Sequence, residues 1–210
     1  MSAKKDGDMP HHIDVTPNAL QELIRRAAPS GKGLPPVERW EPDYCGAIDM
    51  RIAADGSWYY MGTPINREAL VRLFSTVLRR DGDGEYYLVT PVEKIGITVE
   101  DAPFLAVEMH ARGEGKDQVL TFRTNVGDVV EAGADHALRF VEEEETGGLI
   151  PYILVRGRLE AKLARPLLYE LADLATETAG DGAARFGVWS GGCFFEMHPQ
   201  HSARSGEDER

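Results

Sequence analysis

The stretch WEPDYCGAIDMRIAADGSWYYMGTPINREALVRLF, residues 40–74, decides how the first half of the chain folds. In its first part, apolar and charged residues alternate. The alternating positions are Ile48, Met50 and Ile52 on one side and Asp49 and Arg51 on the other. Because side chains alternate between the two faces of a strand, this pattern predicts a β-strand with one buried face.

The second part of the same stretch predicts a turn, a partner strand and a helix. Asp55-Gly56 predicts a two-residue hairpin turn, since both residue types tolerate positive φ, and residues 58–61 return as the partner strand. Asn66 is the predicted N-cap of the helix, and Glu68 lies in its first turn. Apolar residues then recur at helical spacing, at Ala69, Leu70, Leu73, Phe74, Val77 and Leu78.

Length and charge limit the class of protein. The chain has 210 residues and a net charge of −12, from 23 Lys and Arg against 35 Asp and Glu. Such a balance argues against duplex nucleic acid or an anionic membrane as partner. No apolar run approaches the roughly 18 residues of a membrane helix, and no signal peptide is expected. Two cysteines, Cys45 and Cys193, fit a cytoplasmic protein.

Composition divides the chain into four regions. Residues 1–13 are expected to be a disordered arm, 14–101 a first repeat domain, 102–198 a second repeat domain and 199–210 a solvated tail. Thr16-Pro17 predicts a short helix, and residues 29–36 (PSGKGLPP) a linker. The second domain reads as successive strands, one of them over 152–159, then a helix from Pro166 and a closing hairpin at 186–197.

The two halves show a repeated pattern around their helices. Arg67, Leu70 and Leu73 match Arg165, Leu168 and Leu171 at a constant offset of 98 residues. We therefore predict an α+β fold in which 47–99 and 137–197 are copies, each of antiparallel strands plus one helix. Chance similarity between two amphipathic helices is the alternative. The predicted buried residues of the helices are Leu70, Leu73, Phe74, Leu168 and Leu171.

Four long blocks resemble a known family. They are WEPDYCGAIDMRIAADGSWYYMGTPINR, YYLVTPVEKIGITVEDAPF, FRTNVGD and PYILVRGRLEAKLAR, and they run from about Trp40 to Phe195. These blocks are similar to those of the bacterial domain of unknown function 1285 family. The resemblance implies a duplicated α+β unit whose second copy is pleckstrin-homology-like. It also implies a ligand site in the cleft between the copies and a role in signalling; no catalytic residues can be carried over.

Complete catalytic or metal signatures are not found in the sequence. Ser190 precedes Gly191-Gly192, but Val188 stands where a nucleophile elbow needs glycine. Gly115-Lys116 lacks the spacing of a phosphate loop, and residues 81–85 lack the glycine and distal glutamate of a calcium loop. His198 and His201 lack a third ligand. We expect no catalytic residue, no metal and no cofactor.

Basic and aromatic residues suggest a binding site instead. Arg156 and Arg158, two apart on a predicted strand, form a fork that suits phosphate or carboxylate. The predicted ligand-binding residues are Arg51, Trp58, Tyr60, Lys94, Arg156 and Arg158. The alternative for the arginines is a solvated face, and for the aromatics a place in the core.

The function predicted from these residues is binding of an anionic or nucleotide-like ligand in the interdomain cleft, with a regulatory or signal-transduction role. Two alternatives stay open. The first is an enzyme of unrecognised type acting on a small anionic substrate, and the second is a protein–protein interaction scaffold. A polar cleft with a shifted titratable group favours the first, and a large exposed apolar patch the second.

Overall fold

The computed structural model describes residues 33–144, 146–179 and 184–198, together with Glu22. The chain divides into two compact units, unit 1 over Met1–Asp101 and unit 2 over Ala102–Arg210. The predicted disordered arm, the helix at Thr16-Pro17 and the C-terminal tail lie outside the described residues. Neither of the two helices in the described ranges is long and apolar enough to cross a membrane.

Over residues 33–101, unit 1 contains a six-stranded sheet and the α-helix Glu68–Thr76. A short 3-10 turn at Val37–Arg39 precedes the sheet. The strands are β1 (Tyr44–Ile52), β2 (Trp58–Tyr60), β3 (Thr63–Pro64), β4 (Leu78–Arg80), β5 (Tyr86–Val89) and β6 (Lys94–Val99). Helix α1 (Glu68–Thr76) lies between β3 and β4 in the chain. The strand order is β3-β2-β1-β6-β5-β4, and the central pair, β1 and β6, is parallel.

Unit 2 contains a second six-stranded sheet, a helix and a three-stranded sheet. The strands of the larger sheet are β7 (Phe104–Arg112), β8 (Val119–Thr124), β9 (Val129–Glu131), β10 (Leu138–Glu142), β11 (Leu149–Arg156) and β12 (Leu159–Leu163). Helix α2 (Arg165–Asp173) follows β12. The smaller sheet is made of β13 (Thr176–Ala179), β14 (Ala184–Ser190) and β15 (Cys193–Glu196).

The two large sheets have the same topology. The second is ordered β10-β11-β12-β7-β8-β9, with β7 and β12 as a parallel central pair. Each sheet therefore consists of two three-stranded meanders. The first strand of the first meander pairs with the last strand of the second. Helix α1 lies between the two meanders of its sheet, whereas α2 follows the second meander of the larger sheet and leads into β13. The two predicted copies, 47–99 and 137–197, share the order of three strands, one helix and three strands. The second set of strands joins the same sheet in the first copy and forms a separate sheet in the second. That the copies superpose through Arg67 and Arg165 stays a prediction.

The first hairpin follows the predicted pattern with a longer turn. Residues 53–57 separate β1 and β2, with the Ala53 N–H donating to the Ser57 carbonyl oxygen at 2.9 Å. Gly56 has a φ of 81°, the left-handed conformation that the Asp-Gly pattern predicts. The loop is therefore longer than the predicted two residues. The chain then reverses again, so that Thr63–Pro64 pairs with β2 and does not simply end it.

The predicted strand over 152–159 is also wrong. Strand β11 ends at Arg156, and Gly157-Arg158 form the turn into β12. Gly157 adopts a φ of 52°, which permits that reversal. A single glycine thus divides what appeared to be one strand into a hairpin. Arg156 and Arg158 consequently do not share the face of one strand.

The cores of both units are made by alternate strand residues and by one face of each helix. Leu70 and Phe74 of α1 and Leu171 of α2 are buried, as predicted, whereas Leu73 and Leu168 are half-buried. Leu167 takes the buried position expected for Leu168. Helix α1 begins after Arg67 rather than Asn66, and no side chain caps it. The sequence therefore predicts the buried face of each helix to within one residue.

Candidate functional site

A cavity of about 410 Å³ lies in unit 2, where the open end of the β11–β12 hairpin meets the start of α2. Its apolar wall is formed by Leu149, Ile150, Pro151, Leu163 and Leu168. Its polar wall is formed by Glu143, Thr146, Lys162, Arg165 and Tyr169. The cavity therefore combines an apolar surface with two cationic side chains, and it lies within one unit.

Alternation along β12 explains how Lys162 reaches this place. Ala161 and Leu163 are buried and point to the core, so the side chain between them projects from the opposite face. Lys162 is half-buried and lies directly across from Tyr152 of β11. The cation is thus held on a paired strand and not on a loop.

Arg165 belongs to the first turn of α2. Its Nε donates to the Tyr169 hydroxyl oxygen at 3.3 Å, one helical turn later. This hydrogen bond and the charge of Glu143 raise the pKa of the Arg165 guanidinium. Among the described residues, no carboxylate forms an ion pair with Arg165. Arg165 thus keeps its positive charge beside a neutral partner.

The N-terminal end of α2 adds to the positive potential of the cavity. Ala164 is the N-cap, and it has no side-chain oxygen that could accept a hydrogen bond from the first turn. The aligned peptide dipoles leave partial positive charge at this end of the helix. Lys162, Arg165 and the N-terminal end of α2 therefore all make the electrostatic potential of the cavity more positive.

The loop between β10 and β11 forms the opposite rim. The Glu143 N–H donates to the Gly148 carbonyl oxygen at 2.7 Å, which closes the loop. The Thr146 hydroxyl donates to the Glu143 carboxylate, and the Gly148 N–H donates to the Thr146 hydroxyl oxygen at 3.1 Å. Glu143 brings one negative charge to the cavity that holds Lys162 and Arg165.

Two of the predicted site residues of unit 1, Arg51 and Lys94, are paired with carboxylates. Arg51 pairs with Glu100 and lies 4.4 Å from the centre of the Tyr59 ring. Lys94 donates to Asp81 at 2.8 Å. Both cations are therefore balanced by charges within unit 1.

The aromatic site residues of unit 1 lie on the other face of the hairpin. Tyr60 is opposite Met50, whereas Arg51 is opposite Tyr59, so Tyr60 and Arg51 project to different faces. Trp58 is 2% exposed and belongs to the core. Arg51 is thus next to Tyr59, and the sequence pattern had not singled out that residue.

Asp81 is the centre of a charge cluster in unit 1. It also accepts a hydrogen bond of 2.6 Å from Arg79, which in turn donates to the carbonyl oxygens of Val37 and Trp40. Burial raises the pKa of the Asp81 carboxyl, but the hydrogen bonds from Arg79 and Lys94 outweigh it and lower the pKa below its ordinary 3.8. This cluster ties the segment before β1 to the edge strand β4.

The two arginines predicted in unit 2 have different surroundings. Arg156 pairs with Asp128, and its guanidinium lies 4.7 Å from the centre of the Phe104 ring. Arg158 is exposed at the hairpin turn. Neither lines the cavity described above. That Arg51, Trp58, Tyr60, Lys94, Arg156 and Arg158 bind one ligand stays a prediction.

Other polar residues that the sequence singled out have structural partners. The Ser190 hydroxyl is buried, donates to the Ala132 carbonyl oxygen at 2.7 Å and accepts from the Leu120 N–H at 2.9 Å. Gly191-Gly192 form the turn between β14 and β15, as expected. Within the described ranges, no group of three His, Cys, Asp or Glu residues could hold a metal ion. Cys45 and Cys193 are free thiols.

Lys162 and Arg165 were missed by the sequence interpretation, although a signal for them exists. Both flank the junction between a buried strand and a helix, and Pro166 marks the first turn of that helix. Residues at such a junction are held by two regular elements. Because the strand over 159–163 was not predicted, the junction between strand and helix was not recognised.

The described residues define a two-unit β-sheet protein with a cation-lined cavity in its second unit. Comparisons with known proteins agree with this division. The model described as "Domain of unknown function (DUF1285), N-terminal domain" matches residues 35–102. The model described as "Protein of unknown function (DUF1285), C-terminal domain" matches residues 103–197. The chain therefore belongs to the DUF1285 family, as its sequence blocks indicated.

Two solved structures are similar to this chain. A DUF1285 family protein from Silicibacter pomeroyi DSS-3 is 49% identical, with a TM-score of 0.75. The match covers 84% of this chain and 94% of that one. A DUF1285 family protein from Shewanella baltica OS155 is 29% identical, with a TM-score of 0.46, over 59% of this chain and 90% of that one. The search of curated proteins gave no match.

Proposed function

We propose that unit 2 binds a small anionic ligand, such as a nucleotide, in the cavity beside α2, and that this binding has a regulatory role. One observation carries the proposal: Lys162 and Arg165 line the same cavity in a chain whose net charge is −12. Two cations in one concave surface attract an anion even when the rest of the chain is acidic. The two free cysteines favour the cytoplasm as the compartment.

The ion pairs of Arg51, Lys94 and Arg156 favour the cavity beside α2 over these three residues as the anion site. Arg51, Lys94 and Arg156 each have a carboxylate partner, so an anion would have to displace an existing ion pair. Arg165 is bonded to the neutral Tyr169 hydroxyl. A guanidinium can bind phosphate or carboxylate through two parallel N–H groups, and its Nη groups suit this contact.

The remaining lining favours an anion that carries an apolar or aromatic portion. Leu149, Ile150 and Leu168 provide apolar contact area on one side. The Tyr169 side chain is 58% exposed, so its ring is accessible for stacking by a base. The volume of about 410 Å³ is within the usual range for small-molecule sites, roughly 300–1,000 Å³. A mononucleotide combines all three features.

Thermal denaturation with AMP and with inorganic phosphate as probes tests the proposal. A ligand that binds the native state raises the melting temperature by mass action. We expect AMP to raise it for the wild type and to have no effect on the Lys162→Met/Arg165→Gln double variant. Arg158→Gln is the matched control, because it removes an exposed arginine of the same unit that does not line the cavity.

The variants separate this site from the sequence-predicted one. A shift retained in Arg158→Gln and lost in the double variant supports the cavity. An AMP-induced thermal shift that is lost in Arg158→Gln and retained in the double variant indicates that the ligand binds at the arginines predicted from the sequence. Absence of any shift with either probe in the wild type contradicts the proposal. The ligand-free melting temperature of each variant is measured alongside to separate binding from folding.

A further inference from the structure

The loop between β10 and β11 holds one carboxylate at the rim of the cavity beside α2. Both backbone groups of Glu143 are bonded within this loop. Its N–H donates to the Gly148 carbonyl oxygen at 2.7 Å, and its carbonyl oxygen accepts from the Gly147 N–H at 2.8 Å. The Thr146 hydroxyl donates to Oε2 of the side chain. Three hydrogen bonds thus orient Glu143, although it lies on a loop.

The Glu143 carboxylate is accessible to a ligand in the cavity. The residue is exposed and belongs to the cavity lining. An ionised carboxylate only accepts hydrogen bonds, and its two oxygens have about four acceptor sites. The bond from Thr146 uses one of these sites. The carboxylate can therefore accept two further hydrogen bonds from a ligand, one at each oxygen.

Glu143 and Arg165 present opposite charges to one cavity without pairing directly. Among the ion pairs of the described residues, none joins these two side chains. The charge of Glu143 is nevertheless near enough to raise the pKa of the Arg165 guanidinium. A ligand that suits this arrangement carries an anionic group for Arg165 and hydrogen-bond donors for Glu143.

Nucleobases differ in the donors that they present on the Watson–Crick edge. Guanine has N1–H and N2–H₂ side by side, and one carboxylate can accept from both. Adenine has N6–H₂ beside N1, whose lone pair a carboxylate repels. Building on the nucleotide site proposed above, we propose that Glu143 recognises the base and that the cavity prefers guanine nucleotides to adenine nucleotides. Charge-assisted bonds made in pairs are the stronger and more specific kind, which favours this match.

Titration calorimetry of the full-length protein with GMP, IMP and AMP tests this preference. The three probes share the ribose and the phosphate, so they differ only in the base. We expect GMP to bind about tenfold more tightly than AMP, because a good bidentate contact discriminates between bases by at least that order. IMP keeps N1–H and lacks the N2 amino group, so its affinity should lie between the other two.

Two variants of the same loop locate the specificity. Glu143→Gln keeps the size of the side chain and offers one donor and one acceptor, the pattern that fits N6–H₂ and N1 of adenine. It should therefore lose the preference for GMP. Glu144→Gln is the matched control, because it removes the same charge at an exposed position that does not line the cavity, and it should retain the preference.

The outcomes separate this inference from the proposed function on which it rests. Wild-type protein that binds AMP as tightly as GMP overturns the guanine preference and leaves the anion site in place. Binding of none of the three nucleotides overturns both. A preference for GMP that persists in Glu143→Gln, or that disappears in Glu144→Gln, contradicts the role of Glu143.

Discussion

Units 1 and 2 build the same six-stranded sheet and attach their helices at different points. In unit 1, α1 connects the two meanders and leads into β4; in unit 2, α2 follows β12, the last strand of the larger sheet, and leads into β13. The cavities of the two units differ accordingly. A cavity of about 300 Å³ beside α1 has an uncharged lining, whereas the cavity beside α2 contains Lys162 and Arg165. One sheet topology therefore carries two kinds of cavity, because the position of the helix determines which strand ends form a cavity wall.

Pairing of cations with carboxylates occurs in both units. Lys94 pairs with Asp81 in unit 1, and Arg156 pairs with Asp128 in unit 2. Arg165 beside α2 instead contacts a neutral hydroxyl, and it is the basis of the proposed anion site.

The largest effect is expected in the core beneath α1. Phe74 is fully buried and stacks on Trp58, so Phe74→Ala should lower the free energy of unfolding by about 3–5 kcal/mol. Chemical denaturation of the full chain measures this loss. Leu73→Ala is the control in the same helix, and it should cost less because Leu73 is only half-buried. Equal losses would contradict the assignment of the buried face.

The corresponding change in α2 tests whether the second helix is anchored in the same way. Leu171 is fully buried, so Leu171→Ala should cost about 2–5 kcal/mol in the same measurement. Leu168 is half-buried and lines the cavity, and Leu168→Ala should cost less while weakening any AMP-induced thermal shift. A larger loss for Leu168→Ala than for Leu171→Ala would show that the cavity wall belongs to the core.

A smaller loss is expected for a hydrogen-bond bridge between β14 and the larger sheet of unit 2. The Ser190 hydroxyl joins β14 to the backbone of Leu120 and Ala132 in the larger part of unit 2. Ser190→Ala leaves the buried N–H of Leu120 without its acceptor and should cost about 1–3 kcal/mol in denaturation experiments. A change below about 0.5 kcal/mol, the level of an ordinary surface substitution, would contradict a structural role for this bridge.

The smallest effect concerns the pH dependence of unit 1. The folded-state pKa of Asp81 is lowered below 3.8, so the folded state binds this proton more weakly than the unfolded chain. The resulting stability is present above the ordinary pKa and is lost as pH falls through the folded value. The stability difference between wild type and Asp81→Asn should therefore shrink on acidification. Denaturation curves at several pH values check this, and a constant difference would contradict it.

The sequence predicted local structure better than it predicted the pairing of distant strands. Asp55-Gly56 and Gly191-Gly192 lie in the expected turns, because glycine and aspartate tolerate the positive φ that tight turns require. The parallel pairing of β1 with β6 joins segments far apart in the chain, and no periodicity in either strand encodes it. The matching of Arg67 with Arg165 is one residue out of register at the helix starts, because Arg67 precedes α1 whereas Arg165 is the first residue of α2. Amphipathic spacing alone does not fix that register.

The candidate site was harder to predict because one residue changes its geometry. Gly157 converts an apparent strand into a hairpin, which separates Arg156 from Arg158 and creates β12. A shift of this kind moves every later side chain to a new position. Lys162 and Arg165 could be recognised as neighbours only once β12 and the start of α2 were both located. Whether a cation has a carboxylate partner is a tertiary property that sequence spacing does not encode.

The parallel central pairs have a consequence for synthesis on the ribosome. In each large sheet the first strand is bonded to the last, β1 to β6 and β7 to β12. A nascent chain therefore cannot complete either sheet until its sixth strand has been made, and such distant contacts slow folding. Until then, the first strand of the first meander has no pairing partner on one of its sides. The N-terminal sheet can therefore be completed before the C-terminal one during synthesis.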